Sequence, residues 1–234
     1  MLASSLKNLE KLELSLGYTF KNRDSLIEAL THRSFYHENP DKATTHNERL
    51  EFLGDSVLGL VIVEYLFSLD IQFTESVMAK IKSYLVKESV LSEIANSISL
   101  GKYLRLGKGE EANGGRTKKS LLADAIEAVL GAIYIDGGYG KVKEIILRLF
   151  RGKIDTVLSS GEFYDFKTEL QENTQLIFGV LPEYRIIKQE GEEHRKIFTV
   201  EVFIDGKKFG EGAGKSKKEA QTIAAKEALY RLRQ

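Results

Sequence analysis

The 234-residue chain contains no cysteine, no tryptophan and only two prolines. Without cysteine there can be no disulfide, no thiolate metal site and no thiol nucleophile. Such a composition fits a reducing compartment. Long apolar runs are missing as well. The longest, Val57 to Val63 and Ala128 to Ile135, each contain glycine and fall far short of a bilayer span. The opening residues MLASSLKNLE carry charge and form no apolar signal core. A soluble, cytoplasmic protein without a membrane partner is therefore expected. An excess of either charge is also absent. Lys+Arg and Asp+Glu both number 34, dividing as 21 against 21 in residues 1–160 and 13 against 13 in residues 161–234. No global field draws the chain toward a polyanion, so nucleic-acid binding would have to rest on local clusters.

What is present divides into two parts. The apolar share of 42% is ordinary for a globular chain, and the length suits two domains with real cores. Apolar residues recur at helical spacing over 24–31, 48–67, 75–99, 119–136 and 140–157. Pro40 lies in a polar loop, and Gly114-Gly115 and Gly137-Gly138 punctuate the later helices. After Ser159-Ser160-Gly161 the pattern changes. Phe166 to Gln175 reads as a helix. Tyr184 to Lys188 and Lys196 to Ile204 read as strands, the second alternating Phe198, Val200, Val202 and Ile204 against Thr199, Glu201 and Phe203. Asp205-Gly206 is a hairpin signal, a third strand covers Lys208 to Gly212, and a last helix runs from Lys217 to about Arg233. The expected fold is an all-α domain, 1–152, a linker near 153–161, and a small α+β domain of order α-β-β-β-α, 162–234.

Carboxylates occupy places where core residues belong. From Leu50 to Ile62 the charges are Glu51 and Asp55, four apart on one helix face, with Glu48 a turn earlier. From Ser120 to Ile135 the charges are Asp124 and Glu127, three apart. Leu121, Leu122, Ala125, Ile126, Val129, Leu130 and Ile133 fill one half of that helix. The acids share the other half with Ala123, Ala128 and Gly131, so the helix should be buried nearly all round, with small neighbours that permit close approach. An acid pair at this spacing is ordinarily a solvated face. Two such pairs in apolar settings need compensation by protonation, by a cation or by a metal. Arg49 is the one basic residue beside them. Four acids carry about −4, which two divalent cations would neutralise, and all-oxygen ligation suits Mg²⁺ or Mn²⁺ rather than zinc. Di-iron chemistry is disfavoured because no Glu-x-x-His occurs. Thr45 and Glu48 also fit a capping box that would start the helix, and Glu75 is a further acid at a helix head.

Two basic stretches stand out in an otherwise neutral chain. Lys207 to Lys218 holds five Lys and one Glu, with Lys215, Lys217 and Lys218 around a helix start marked by the box Ser216–Glu219. Cations there oppose the helix dipole, and phosphates would explain them, although exposed lysine is common on loops. Ala220, Ala224, Ala225 and Ala228 would let that helix pack close to the sheet. Lys102 to Lys119 holds six basic residues and two Glu, and reads equally as a polyanion contact or a solvated loop.

These segments together resemble a known family. NERLEFLGDSVL, Asn47 to Leu58, resembles the signature of ribonuclease III, LLADAIEAVLGAIYID its second acidic helix, and THRSF, Thr31 to Phe35, an upstream segment. The C-terminal α-β-β-β-α unit is similar to the family's double-stranded-RNA-binding domain. The resemblance implies an all-helical endonuclease domain acting as a homodimer, with Glu51, Asp55, Asp124 and Glu127 as the metal-centred cluster. Asp55 and Glu127 would be its catalytic members. It implies that Glu48 and Glu75 are additional acids used in RNA contact and cleavage, and that Phe52 packs into the partner subunit. Gln171 and Glu172 match positions that meet 2′-hydroxyls, and His194 a loop that enters the next minor groove; by itself, His194 reads as an exposed loop residue. The implied reaction is Mg²⁺-dependent hydrolysis of double-stranded RNA, leaving 5′-phosphate and 3′-hydroxyl ends with short 3′ overhangs. The implied role is rRNA, mRNA and small-RNA processing. Two rivals remain: a non-cleaving double-stranded-RNA-binding protein with structural acids, and a metal-dependent hydrolase of small phosphate esters, which has no use for the C-terminal lysines.

Overall fold

Apolar residues spaced three and four apart build the first unit, and alternating ones build the sheet of the second. The computed structural model describes residues 2–69, 73–160, 166–191 and 196–232. The chain divides into Met1–Phe163 and Tyr164–Gln234. The first unit runs α1 (Leu2–Leu16), α2 (Arg23–Ala29), α3 (Arg33–Glu38), α4 (Glu48–Phe67), α5 (Glu75–Leu85), α6 (Glu88–Ser97), α7 (Lys108–Ala112) and α8 (Lys119–Ser160), with short 3-10 turns on either side of α7. Its core gathers Leu12, Leu16, Leu26, Leu58, Ile62, Ile81, Leu85, Leu122, Ile126 and Phe150.

Helices α1, α3 and α7 were not expected from the apolar spacing, the first and third strands and the first helix of the second unit run one to three residues further, and three larger differences have local reasons. The stretch 75–99 is two helices, because Lys87 adopts extended backbone (φ −71°, ψ 149°) between α5 and α6. The two later helices form one long element, α8, interrupted at Gly138, whose φ of 78° suits glycine. Asp136, just before that break, accepts hydrogen bonds from the Tyr18 hydroxyl (2.6 Å) and the Lys21 and Asn22 amides (2.9 Å each). Residues 153–160, expected as linker, are the last turns of α8, because Ile154 and Val157 are buried in the helical core. No helix among the described residues is long and apolar enough to cross a membrane.

The second unit is α9 (Phe166–Phe178), β1 (Glu183–Glu190), β2 (Ile197–Ile204), β3 (Lys207–Gly214) and α10 (Lys217–Leu232). The antiparallel sheet has order β1-β2-β3. Asp205 (φ 47°) and Gly206 (φ 74°) both lie in the left-handed region, as a two-residue turn between β2 and β3 requires. Val200, Val202 and Ile204 point inward, with Phe198 partly buried beside them. On β3, a Cβ at Gly210 would stand 2.4 Å from the Ala224 carbonyl oxygen, and one at Gly212 equally near that of Ala220. The glycines of β3 and the alanines of α10 thus bring sheet and helix into backbone contact.

Candidate metal centre and nucleic-acid interface

The acids meet because α4 and α8 cross at glycines. A Cβ on Gly54 would lie 1.8 Å from the Glu127 carbonyl oxygen, and one on Gly131 would lie 2.3 Å from that of Leu50. No side chain separates the two backbones, so residues one turn before each glycine are forced together. These are Glu51 on α4 and Glu127 on α8, with Asp124 a turn further back. Their carboxylates offer oxygens that all lie within 4.8 Å of one another. From Leu121 to Ile133, every residue is buried except the half-buried Asp124 and Glu127.

The electrostatics follow from that burial. Desolvation, followed by the charges of Asp55, Glu51 and Asp124, pushes Glu127 up to about 8. Desolvation, then Asp124 and Glu48, pushes Glu51 up to about 7. Asp124 is raised by burial and by the charge of Glu88. None of the three carboxylates forms an ion pair among the described residues. An all-oxygen, mutually repelling and partly dry set of this kind fits a hard divalent cation, whose charge would replace the protons.

The other expected residues distribute around this group. Asp55 is exposed one turn along α4 and outside the 4.8 Å set, yet its charge is the second cause of the rise at Glu127. Glu48 is exposed and pairs with Arg33 (3.4 Å), with His46 at 3.8 Å. Its expected capping box does not form. Asn47 occupies the cap position without a side-chain bond, and the Thr45 hydroxyl donates to Glu28 instead (3.2 Å). Glu75 heads α5 behind the N-cap Thr74 and lines an open depression with Ser76, Lys80 and Tyr84, apart from the carboxylate group. Phe52 is 80% exposed. Sequence reading missed two charges. Arg33 opposes the rise at both Glu51 and Asp124, whereas Arg49 lines a pocket beside Phe52. Glu88 acts on Asp124 from the head of α6. Neither is near the acids in sequence, so only the THRSF segment hinted at Arg33.

In the second unit Ser216 caps α10: the Glu219 amide donates to the Ser216 hydroxyl (3.1 Å), while the Glu219 carboxylate accepts from the Lys215 amide, one residue before the cap (2.7 Å). Lys215, Lys217 and Lys218 are exposed around this start, and none is in an ion pair among the described residues. Lys208, by contrast, is bound to Glu201 (2.5 Å) and Glu211 (2.6 Å). Gln171 and Glu172 are exposed on α9. His194 lies outside the described residues. The stretch 102–119 is less basic than its composition suggests. Arg116 pairs with Glu111 (2.5 Å) and donates to three backbone carbonyls, Lys118 pairs with Glu110 (3.4 Å), and Arg105 is spent on Thr31 and the Lys42 carbonyl.

Comparison with known proteins agrees with both halves. Residues 22–153 match the family described as Ribonuclease-III-like, and residues 166–232 match the double-stranded RNA binding motif. The chain is 45% identical over 229 residues to Ribonuclease 3 of Aliarcobacter butzleri, covering 98% of this chain and 100% of that protein. The chain belongs to the ribonuclease III family. It is an endoribonuclease of the kind specific for double-stranded RNA. Ribonuclease 3 of Geobacter metallireducens is a similar relative, 46% identical over 223 residues, 95% of this chain and 91% of that one. The crystal structure of the ribonuclease III nuclease domain from Campylobacter jejuni is 46% identical, with a TM-score of 0.56, covering 63% of this chain and 96% of that one. A second structure of that domain is described with flexibility in a region involved in dimer formation.

Proposed function

We propose that this ribonuclease III cleaves duplex RNA by divalent-metal hydrolysis at Glu51, Asp55, Asp124 and Glu127, with Mg²⁺ as the natural ion and Mn²⁺ as a substitute. The observation that carries this is the convergence of three part-buried carboxylates whose protons are held up to about 7 and about 8 at Glu51 and Glu127, with no cation paired to them among the described residues. Divalent ions held by these acids would supply an activated water and charge to stabilise the phosphate and its leaving oxygen. The protein's part is to hold the acids in place on two helices locked at Gly54 and Gly131, and to release protons when metal arrives. Loss of the 3′-oxygen from phosphorus leaves a 5′-phosphate and a 3′-hydroxyl. Glu127 and Asp55, whose charge acts on Glu127, are the residues assigned to the reacting end. Glu48 and Glu75 are assigned to RNA contact and cleavage outside the buried group.

The homodimer is supported by the outer face of α4. Phe52, Leu60, Val63 and Phe67 form an exposed apolar stripe, joined by Ile135 of α8. A stripe of this kind on a soluble domain calls for a partner. Beside Phe52 lies a pocket of about 670 Å³ lined by His46, Arg49, Leu53 and Ile135. A two-fold axis would let each Phe52 enter the other subunit's pocket, and two offset centres would leave short 3′ overhangs. Phe52→Asp should shift the protein from dimer to monomer in sedimentation. In the second unit, Lys215, Lys217 and Lys218 are assigned to phosphates, and Gln171, Glu172 and His194 to minor grooves, a mode that reads A-form shape. Processing of rRNA, mRNA and small RNA in the cytoplasm follows from the family resemblance.

The deciding experiment incubates long duplex and single-stranded RNA with the protein, with Mg²⁺ or EDTA. Only duplex with Mg²⁺ should be cut, and Glu127→Gln should bind duplex but leave it intact. Cleavage surviving EDTA or Glu127→Gln would overturn the assignment, and a wild type that binds duplex without ever cutting it would leave a binding protein.

A further inference from the structure

The nuclease centre has one feature that metal chemistry does not use. Arg33 is the first residue of α3, and the backbone on either side of it is anchored. The His32 amide donates to the Arg105 carbonyl (3.1 Å), His32 Nδ1 accepts from the Ser34 amide (3.2 Å), and the Ser34 hydroxyl accepts from the Gly107 amide (2.9 Å). The Arg33 side chain itself is 65% exposed and, among the described residues, makes one long ion pair, Nη1 to Glu48 at 3.4 Å. An exposed, one-point ion pair contributes little to stability. The guanidinium nonetheless lies close enough to the buried acids to oppose the rise at Glu51 and Asp124.

Among the described residues, two neighbouring basic groups are not free to share its task. Burial pushes His32 below its ordinary value, so it is neutral at pH 7. Lys118 is held by Glu110 at 3.4 Å. An RNA phosphodiester approaching this rim meets the exposed carboxylates of Glu48 and Asp55, and Arg33 is a positive charge beside them that can receive it. A guanidinium also suits the task geometrically, since its planar fork can donate twice to one phosphate.

We infer that Arg33 binds a backbone phosphate of the duplex at the nuclease centre, exchanging its loose contact with Glu48 for that phosphate and leaving the Glu48 carboxylate free. This rests on the metal-nuclease reading above. The test compares Arg33→Ala and Arg33→Lys, each alone and combined with Glu48→Gln, in single-turnover cleavage of a fully paired RNA duplex with enzyme in excess and saturating Mg²⁺. Duplex binding in EDTA and thermal melting are measured alongside.

Arg33→Ala should slow cleavage about 10- to 100-fold, the scale of a lost charged hydrogen bond. Arg33→Lys should recover part of that loss. Binding should stay within about threefold, because the C-terminal lysines supply it, and melting should be unchanged. The loss should persist in the Glu48→Gln background. An Arg33→Ala protein that cleaves normally, or lowers only the melting temperature, overturns the inference by reducing Arg33 to a surface ion pair. An effect that vanishes in Glu48→Gln also overturns it, because Arg33 would then act only by holding Glu48. If the wild-type chain cuts no duplex while binding it, the nuclease reading fails, and this inference with it.

Discussion

The two units use the same packing device to opposite ends. In the nuclease unit, Gly54 and Gly131 let α4 and α8 touch backbone to backbone, and the side chains drawn together beside the contact are acids. In the RNA-binding unit, Gly210 and Gly212 let β3 touch α10, and what is drawn inward is alanine. The charged residues of α10, Lys217 and Lys218, remain in water. Close approach of two backbones therefore carries no function of its own. The residue one turn away decides whether it builds a strained, metal-hungry interior or a neutral support for an outward-facing basic edge.

That contrast can be broken experimentally. The largest effect is expected from the inward charges: Asp124→Ala should reduce duplex cleavage about 10³-fold or more in a quenched time course, while gel-shift affinity in EDTA hardly changes. Next comes the crossing itself. Gly54→Ala places a methyl where a carbonyl oxygen already stands, and should lower unfolding stability by about 3 kcal/mol in a urea titration. Gly152→Ala, on an exposed turn of α8 with nothing within 4 Å, should instead be neutral or stabilise by up to about 1 kcal/mol. The outward charges come third. Lys217→Ala with Lys218→Ala should weaken duplex binding about tenfold and flatten its log–log salt slope by about two, with single-turnover cleavage at saturating enzyme nearly unchanged.

A further contrast is a pH dependence confined to the nuclease unit. Glu51 and Glu127 keep protons up to about 7 and about 8 in the folded, metal-free protein, whereas an unfolded chain releases them near 4.5. The folded state therefore binds more protons through this window, and stability falls as pH rises from about 5 to about 8. Melting curves in EDTA should show that decline, and Mg²⁺ should reduce it by replacing protons with metal. A decline of the same size in Glu127→Gln would show that the acids are not its source.

Much of this was legible in the sequence because charge among apolar residues is a conflict visible without coordinates. Asp124 and Glu127, flanked by Leu121, Leu122, Ala125 and Ile126, required a helix buried nearly all round, and the helix is buried so. The alternation of β2 and the Asp205-Gly206 turn were equally direct. Other features were not legible. Thr45 and Glu48 satisfy a capping pattern, yet Thr45 found Glu28 as its partner. The string 75–99 keeps helical spacing through Lys87, where the backbone turns. Arg33 and Glu88 act on acids far along the chain, which spacing cannot reveal.

By itself, then, the sequence indicated the longer helices of the first unit, the element order of the second, and two acid pairs set among apolar residues. These follow from local periodicity and from the energy of burying a carboxylate. The tertiary structure decided which of those acids meet, that Asp55 stands at their rim, and that Arg33 rather than Arg49 is the cation facing them. Those outcomes depend on where two helices cross, and a crossing is set by glycines more than seventy residues apart, whose fit is a property of the folded pair and of neither segment alone.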